Sequence, residues 1–293
     1  MSESTENIHD QKSSFSEKEQ FLLRVSSITD LNVPPMILDQ LFPILGEGEL
    51  PADFGQNPLM HDPSVVSYFM KKLYEKPEYA DCVFDGVDGV FSLLSKEYMY
   101  EILSELTPMV KFDEIEMEEW KHAYASHLLM YILITENEFF QLRYLIPLML
   151  IHDIGKQVLH LLEPEICDNT VSLARKMMIP RSIAEKDHLN LTHAEVGARL
   201  LKEWNFPDKV TKPILYHHST NIPEEYILET ALVQFVNWLD CHVRGIPAKP
   251  LNQKTMEAAG IEEIDIDYWM KRHKRIVEET DRFFNAERDM NSN

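Results

Sequence analysis

The sequence is poor in cysteine, glycine and basic residues, and each shortage narrows the class of protein. Its three cysteines, at positions 82, 167 and 241, form no CxxC pair and cannot all be paired within one chain, which fits a reducing compartment. Glycine occurs nine times in 293 residues, and alternating β-branched runs are few, which argues against a sheet protein. Lys and Arg number 28 against 49 Asp and Glu, and the resulting net charge of -21 opposes attraction to nucleic acid phosphates or anionic lipid.

The sequence also lacks apolar runs long enough to span a membrane. We find no stretch that approaches a membrane span, and residues 1–20 are polar rather than a secretory signal. We therefore expect a cytoplasmic protein with neither nucleic acid nor membrane as a partner.

What is present favours a large helical core. Hydrophobic residues make up 44% of the chain, and they recur at helical spacing almost throughout, so we predict an all-α fold. We expect a disordered polar tail at 1–20, an N-terminal helical subdomain at 21–110, a histidine-rich helical subdomain at 111–245 and a C-terminal helical extension at 246–293. In the extension, Gly260 is a predicted helix stop, and an amphipathic helix that packs on the body should follow.

The run Leu148-Met-Leu-Ile-His-Asp-Ile-Gly-Lys156 places metal-ligand side chains in an apolar helical segment. A buried carboxylate at Asp153 is costly unless a cation or several donors compensate it, and a divalent metal would do so. The neighbouring imidazole of His152 can ligate the same ion. Gly155 allows a close approach to the backbone, and Lys156 brings a positive charge to where a phosphate could bind.

Further candidate ligands lie at predicted helix ends. Thr192 and Glu195 have capping-box spacing, which puts His193 in the first turn of a helix. His217 and His218 end an apolar stretch, and Asp240 falls on the apolar stripe of a later helix. Each of them has a structural alternative. The histidines could be hydrogen-bonded core or surface residues, and the carboxylate of Asp240 could bond a backbone amide, Arg or Lys.

Two other His-Asp pairs show that the doublet alone proves little. His9-Asp10 lies in the polar tail, and His61-Asp62 precedes Pro63 at a predicted turn or helix start. We expect both to be solvent-exposed and without function.

The order of five sequence blocks resembles the HDOD domain, a branch of the HD superfamily. These blocks, which lie within about residues 25–245, are Trp120-Lys-His122, His152-Asp-Ile-Gly-Lys156, His193-Ala-Glu-Val-Gly197, Trp204-Asn-Phe-Pro207 and His217-His218. The resemblance implies an all-helical protein, in which an N-terminal helical subdomain precedes an HD-type helical core.

The resemblance also implies a ligand set. In HD hydrolases a His, the His-Asp doublet and a later Asp hold the metal, and binuclear relatives such as the HD-GYP phosphodiesterases add three histidines. The matching positions are His122, His152, Asp153, His193, His217, His218 and Asp240. One or two divalent ions are implied, and Fe, Mn, Ni or Zn suits a site richer in imidazole than in carboxylate. Asp153 would bridge two ions in such a site, and Lys156 would stabilise the charge of a phosphate.

The sequence after His218 reads Ser-Thr-Asn-Ile-Pro and lacks the Gly-Tyr-Pro motif of the phosphodiesterases, so we expect little or no turnover of cyclic dinucleotides. Three hypotheses stay open. The chain is a signalling module that binds metal, or a phosphorylated ligand through it, and contacts protein partners. Alternatively it is an active metal-dependent phosphohydrolase, or a helical scaffold without metal. The sequence leaves open whether the chain is an enzyme.

Overall fold

A computed structural model describes residues 16–46, 57–110, 112–261 and 265–291. Within those residues the regular structure is helical, and four 3₁₀ turns and one isolated bridge between Val33 and Pro108 complete it. The helices are α1 (Glu17–Ser26), α2 (Pro35–Gly46), α3 (Pro63–Tyr74), α4 (Gly86–Phe91), α5 (Lys96–Glu105), α6 (Glu114–Glu136), α7 (Leu145–Ile151), α8 (Ile154–Leu162), α9 (Pro164–Met177), α10 (Arg181–Leu189), α11 (His193–Glu203), α12 (Asp208–Tyr216), α13 (Ile227–Arg244), α14 (Gln253–Ala258) and α15 (Ile266–Asn291). The predicted all-α fold is confirmed.

Capping residues fix where the functional helices begin. The side chain of Thr192 accepts a hydrogen bond from the backbone of Glu195, and the Glu195 carboxylate accepts one from the backbone N–H of Thr192. This capping box starts α11 where the sequence predicted it. Asp113 and Glu116 form a second capping box at the start of α6, the long central helix.

The core is continuous from the first to the last described helix. α6 contacts α7, α13 and α15, while α8 packs against α11, and α11 also contacts α1 and α12. The N-terminal helices join through α3, which packs on α7. The predicted amphipathic terminal helix is α15, which buries Trp269, Ile276 and Phe284 against α6 and α13. Gly260, at a φ of 69°, follows the end of α14.

The N-terminal tail is only partly described. Residues 1–15 lie outside the described residues, and residues 17–20, which we assigned to the tail, already belong to α1. The subdomain boundaries at 110 and 245 remain predictions.

The prediction that no stretch approaches a membrane span is wrong for one segment. Phe140–Leu162 is long and apolar enough to cross a membrane by length and composition. In this fold it is divided among a 3₁₀ turn, α7 and α8, and 67% of its most apolar window is buried inside the protein. A buried core segment of a protein can have the same length and apolar composition as a membrane span. The location of the protein in the cell remains a prediction.

Candidate metal centre

Asp153 lies at the middle of the histidine cluster. α7 ends at Ile151 and α8 begins at Ile154, so the His-Asp doublet occupies the turn between two buried helices. Oδ1 of Asp153 lies 3.1 Å from Nε2 of His193 and 3.4 Å from Nε2 of His217. Oδ2 lies 3.3 Å from Nε2 of His122 and 3.4 Å from Nε2 of His152. Each carboxylate oxygen therefore faces two imidazole nitrogens, which is the arrangement of a carboxylate able to bridge two ions.

The potential ligand atoms form two groups that share Asp153. One group contains Asp153, His193, His217 and His218, and the other contains His122, His152 and Asp153. Within each group the ligand atoms lie within 4.8 Å of one another. Six of the seven sequence-predicted ligands thus come together, although the first and last of them, His122 and His218, lie 96 positions apart in the chain.

The far nitrogen of each imidazole that faces Asp153 is held by an acceptor. Nδ1 of His152 lies 2.7 Å from the carbonyl oxygen of Met149, and Nδ1 of His217 lies 2.6 Å from that of Ile214. An Nδ1–H that donates to these oxygens leaves the Nε2 lone pair directed at the cluster. Nε2 of His217 is buried without a hydrogen-bond partner, which is the state expected of a metal ligand.

A buried carboxylate holds His193 in the same way. Nδ1 of His193 lies 2.6 Å from Oε2 of Glu185, and the backbone N–H of His193 donates to the same oxygen at 2.8 Å. Nε of Arg181 donates to the other oxygen of Glu185 at 2.8 Å, and Arg181 also pairs with Glu119. Burial alone would raise the pKa of Glu185, but His193 and Arg181 lower it to about 2. Glu185 therefore stays ionised and fixes the ring of His193.

Asp240 holds His122 rather than facing the shared carboxylate. Its Oδ2 lies 2.5 Å from Nδ1 of His122 and accepts from Nε of Arg244 at 2.9 Å. Its Oδ1 lies 2.6 Å from Nε2 of His273, on α15. Both oxygens are occupied, and among the described residues neither group of ligand atoms includes Asp240. The buried carboxylate is compensated by one arginine and two histidines, and its direct ligation of a metal stays a prediction.

Carboxylates divide the rings of the cluster into two sets. Burial lowers the pKa of His122 and His193, but Asp240 and Asp153 outweigh burial and raise the pKa of His122, and Glu185 and Asp153 do so for His193. Burial lowers the pKa of His152 to about 3 and also lowers the pKa of His217 and His218, so these rings are neutral at pH 7. Burial raises the pKa of Asp153, but His152, Lys156 and His193 outweigh burial and hold that pKa well below the usual value. Nζ of Lys156 lies 2.5 Å from Oδ2 of Asp153, in an ion pair that is not aligned as a hydrogen bond. Neutral imidazoles and an ionised carboxylate are the forms that ligate metal.

Gly155 lets α8 and α11 approach each other closely enough to form the cluster. A Cβ at position 155 would lie 1.9 Å from the carbonyl oxygen of His193 and 2.6 Å from the backbone nitrogen of Gly197. The close backbone approach expected at Gly155 is therefore present, and the partner is the first turn of α11.

Two spaces adjoin the cluster. A cavity of about 90 Å³ lies beside His193, His217 and His218, and an open cleft of about 470 Å³ lies on the side of His122. Lys156 and Arg181 line both. Both cations are paired with carboxylates, Lys156 with Asp153 and Arg181 with Glu119 and Glu185.

His61-Asp62 is less exposed than the sequence suggested. Asp62 is 1% exposed, and its side chain accepts from the backbone of Val65 at the start of α3, so the predicted helix start is correct and the predicted exposure is wrong. Nδ1 of His61 lies 3.0 Å from Nε2 of the buried His127. This pair takes no part in the cluster around Asp153.

The sequence pattern did not indicate four residues that hold the ligand rings, Glu185, Arg181, Arg244 and His273. The Arg181 and Glu185 pair has i,i+4 spacing, but that spacing is also typical of exposed helix pairs. Only the tertiary fold distinguishes this buried pair from such surface pairs.

A family model of the HDOD domain matches residues 86–220 of the chain. The chain contains an HDOD domain. The matched part holds six of the candidate ligands, from His122 to His218, and ends before Asp240. It is narrower than the range of 25–245 that the sequence blocks indicated.

The chain also resembles three known proteins over different lengths. It is 32% identical over 89 residues to an uncharacterized protein of Treponema pallidum (strain Nichols), a match that covers 30% of this chain and only 17% of that relative. The structure of the response regulator MmoQ from Methylococcus capsulatus str. Bath has 15% identity and a TM-score of 0.61, with 82% of this chain and 98% of that chain covered. A virulence factor of Campylobacter jejuni subsp. jejuni has 13% identity and a TM-score of 0.59, with 90% and 97% covered. The two structures share the fold with this chain.

Proposed function

We propose that this HDOD protein is a signalling protein that holds one or two divalent transition-metal ions. The observation that carries the proposal is Asp153, whose two oxygens each face two imidazole nitrogens in a buried setting. Five imidazoles and one carboxylate favour Fe, Mn, Ni or Zn over Mg or Ca, because imidazole suits transition metals. The six ligands proposed are His122, His152, Asp153, His193, His217 and His218.

In this proposal Asp240 and Glu185 are positioning residues. Each accepts at the Nδ1 of a ligand histidine, and such partners fix the orientation of the ring and raise its basicity. Direct ligation by Asp240 would require it to leave His122, Arg244 and His273.

A phosphate-bearing small molecule is the ligand that the charges around the cluster favour. Lys156 lines both the cavity and the cleft, and its positive charge there can hold a phosphate oxygen next to Asp153. A bound divalent ion would polarise a phosphoryl oxygen and lower the pKa of a bound water. Asp153 would then hold the ions, and Lys156 would hold the phosphate.

The regulatory role is proposed ahead of hydrolysis. The chain lacks the Gly-Tyr-Pro motif after His218, and MmoQ, which shares the fold, carries the name of a response regulator. We propose that the protein acts through contact with a protein partner. The net charge of -21 disfavours nucleic acid and anionic membranes as partners.

Elemental analysis of protein purified without added metal tests the metal site. We expect one or two equivalents of Fe, Mn, Ni or Zn per chain, and loss of that metal in Asp153→Ala, because the carboxylate is shared by both ligand groups. Asp187→Ala, which changes an exposed aspartate on α10, should retain the metal. Equal metal content in the two variants would remove Asp153 from the site.

Metal-dependent phosphohydrolase activity is the second candidate, since the cluster has the ingredients for it. A panel of cyclic dinucleotides, nucleoside phosphates and an aryl phosphate, incubated with metal-loaded protein, separates the two functions. We expect weak or absent turnover of cyclic dinucleotides and slow, unspecific action on the others. Turnover near the median enzyme rate of about 10 per second, lost in Asp153→Ala, would make the protein an enzyme instead.

A further inference from the structure

The segment between α13 and α14, residues 246–252, covers one side of the metal cluster. We call it the cover segment. It follows Gly245, which ends α13 at a φ of 69°, and the backbone N–H of Ile246 donates to the carbonyl oxygen of Cys241 at 2.8 Å. All seven of its residues line the cavity beside His193, His217 and His218. This segment lies outside residues 86–220, the part of the chain that the family model matches.

Three features hold the cover segment in place. Nζ of Lys249 donates to the carbonyl oxygen of His218 at 2.9 Å, which ties the middle of the segment to a candidate ligand residue. Pro247 and Pro250 fix the backbone φ on either side of that contact. At the far end, Leu251 packs against the core, directly before α14. The segment is therefore anchored at its start, middle and end.

The cover segment leaves little room on this side of the cluster. The cavity of about 90 Å³ is large enough for a few waters or one small anion. The cleft on the His122 side is about five times larger, and Arg175 and Met178 line it. Ile246 and Pro247 line both spaces, as do Lys156, Arg181 and Cys241, so the start of the cover segment is part of the wall between them.

The lining of the small cavity suits an anion. Lys156 and Lys249 bring positive charge from two sides, and Thr220 and Asn237 add a hydroxyl and an amide. Asp153 is the carboxylate among the lining residues. In the proposed function it is neutralised by the metal, so the remaining charge of this cavity is positive.

We propose that the cover segment restricts the side of the cluster formed by His193, His217 and His218 to water or one small oxyanion such as inorganic phosphate, and that Lys249 both fastens the cover and contacts that oxyanion. A larger phosphate ester reaches the cluster only through the cleft beside Arg175. This inference rests on the proposed metal site.

Two measurements on the metal-loaded full chain test the cover segment. The first is the rate at which a bulky chelator removes the metal. Pro247→Gly/Pro250→Gly, which frees the backbone, should release metal about tenfold faster than the wild type, since the cover then opens more often. The second is the affinity for inorganic phosphate by calorimetry, which should fall about tenfold in Lys249→Met because a charge-assisted hydrogen bond is lost.

Lys254→Met is the matched control, because Lys254 is exposed on α14 and lines neither space. It should behave as wild type in both measurements. Metal release that is equally fast in the double-glycine variant and the wild type would refute the cover. Phosphate affinity that is equal in Lys249→Met and Lys254→Met would remove Lys249 from the site. Failure of the metal site itself is distinguishable, since the wild type would then contain no metal, and the inference would fall with it.

Discussion

A methyl group at position 155 would overlap backbone atoms in the first turn of α11. In Gly155→Ala the new Cβ lies 1.9 Å from the carbonyl oxygen of His193 and 2.8 Å from its carbonyl carbon, whereas ordinary contacts begin at 3.4 Å. These atoms belong to the backbone, so no side-chain rotation relieves the clash. The two helices must separate by roughly 1.5 Å to restore an ordinary contact, and overpacking of this kind costs typically 1–3 kcal/mol.

We place the loss of unfolding free energy in Gly155→Ala at about 3 kcal/mol, because the upper end of that range applies where only backbone can yield. Metal content should fall as well. Asp153 lies on the α8 side of this contact and His193 on the α11 side, and ligand distances tolerate only about 0.2 Å of change. Urea denaturation, followed by elemental analysis of the folded protein, measures both effects.

Gly89→Ala is the control, and we expect it to raise the free energy of unfolding rather than lower it. Gly89 lies inside α4, and the nearest atoms to its added Cβ are at 3.8 and 4.0 Å. Alanine should therefore stabilise the protein here by about 0.4–1 kcal/mol. If Gly155→Ala kept the wild-type stability and full metal content, the close contact between α8 and α11 would not be what positions the cluster.

The other predictions concern the carboxylates. Burial raises the pKa of Asp62 from 3.8 to about 7, so the folded protein holds this proton where the unfolded chain releases it. The contribution of this carboxyl to the free energy of unfolding is fully present below about pH 4 and is lost as the pH rises to about 7. Asp62→Asn keeps the cap of α3. Its free energy of unfolding, measured relative to that of the wild type, should rise by about 4 kcal/mol between pH 4 and pH 8. Parallel pH profiles of unfolding for the two proteins would contradict this. Glu185→Gln should weaken metal affinity about 10–100-fold in a competition titration, because the anchor of His193 loses its charge. Glu203→Gln, at the exposed end of α11, should leave the affinity unchanged.

The sequence predicted those parts of the fold and site that depend on local pattern. The Thr192 capping box, the helical spacing and the apolar run around Asp153 act over a few residues, so they are legible in one sequence. Glycine at position 155 indicated a close approach without naming the partner, because the partner lies on another helix.

The rest depends on contacts between distant parts of the chain. One partner of Asp240 is His273, 33 residues later on α15, and nothing in either local pattern joins these two residues. Arg181 and Glu185 have the spacing of an ordinary surface pair, and only the tertiary fold buries them beside His193. The cover segment has no helical periodicity, and its role follows from where α13 and α14 place it.

The bond between His273 and Asp240 links the end of the chain to the cluster. His273 lies on α15, Asp240 on α13 and His122 on α6, and their side chains form one buried series that ends at the ligand atoms. A displacement of α15 that moved His273 would therefore disturb the carboxylate that holds His122. By thermodynamic reciprocity, an ion that fixes His122 favours one position of α15 to the same degree. If the proposed metal binds His122, its affinity would therefore be coupled to the position of α15.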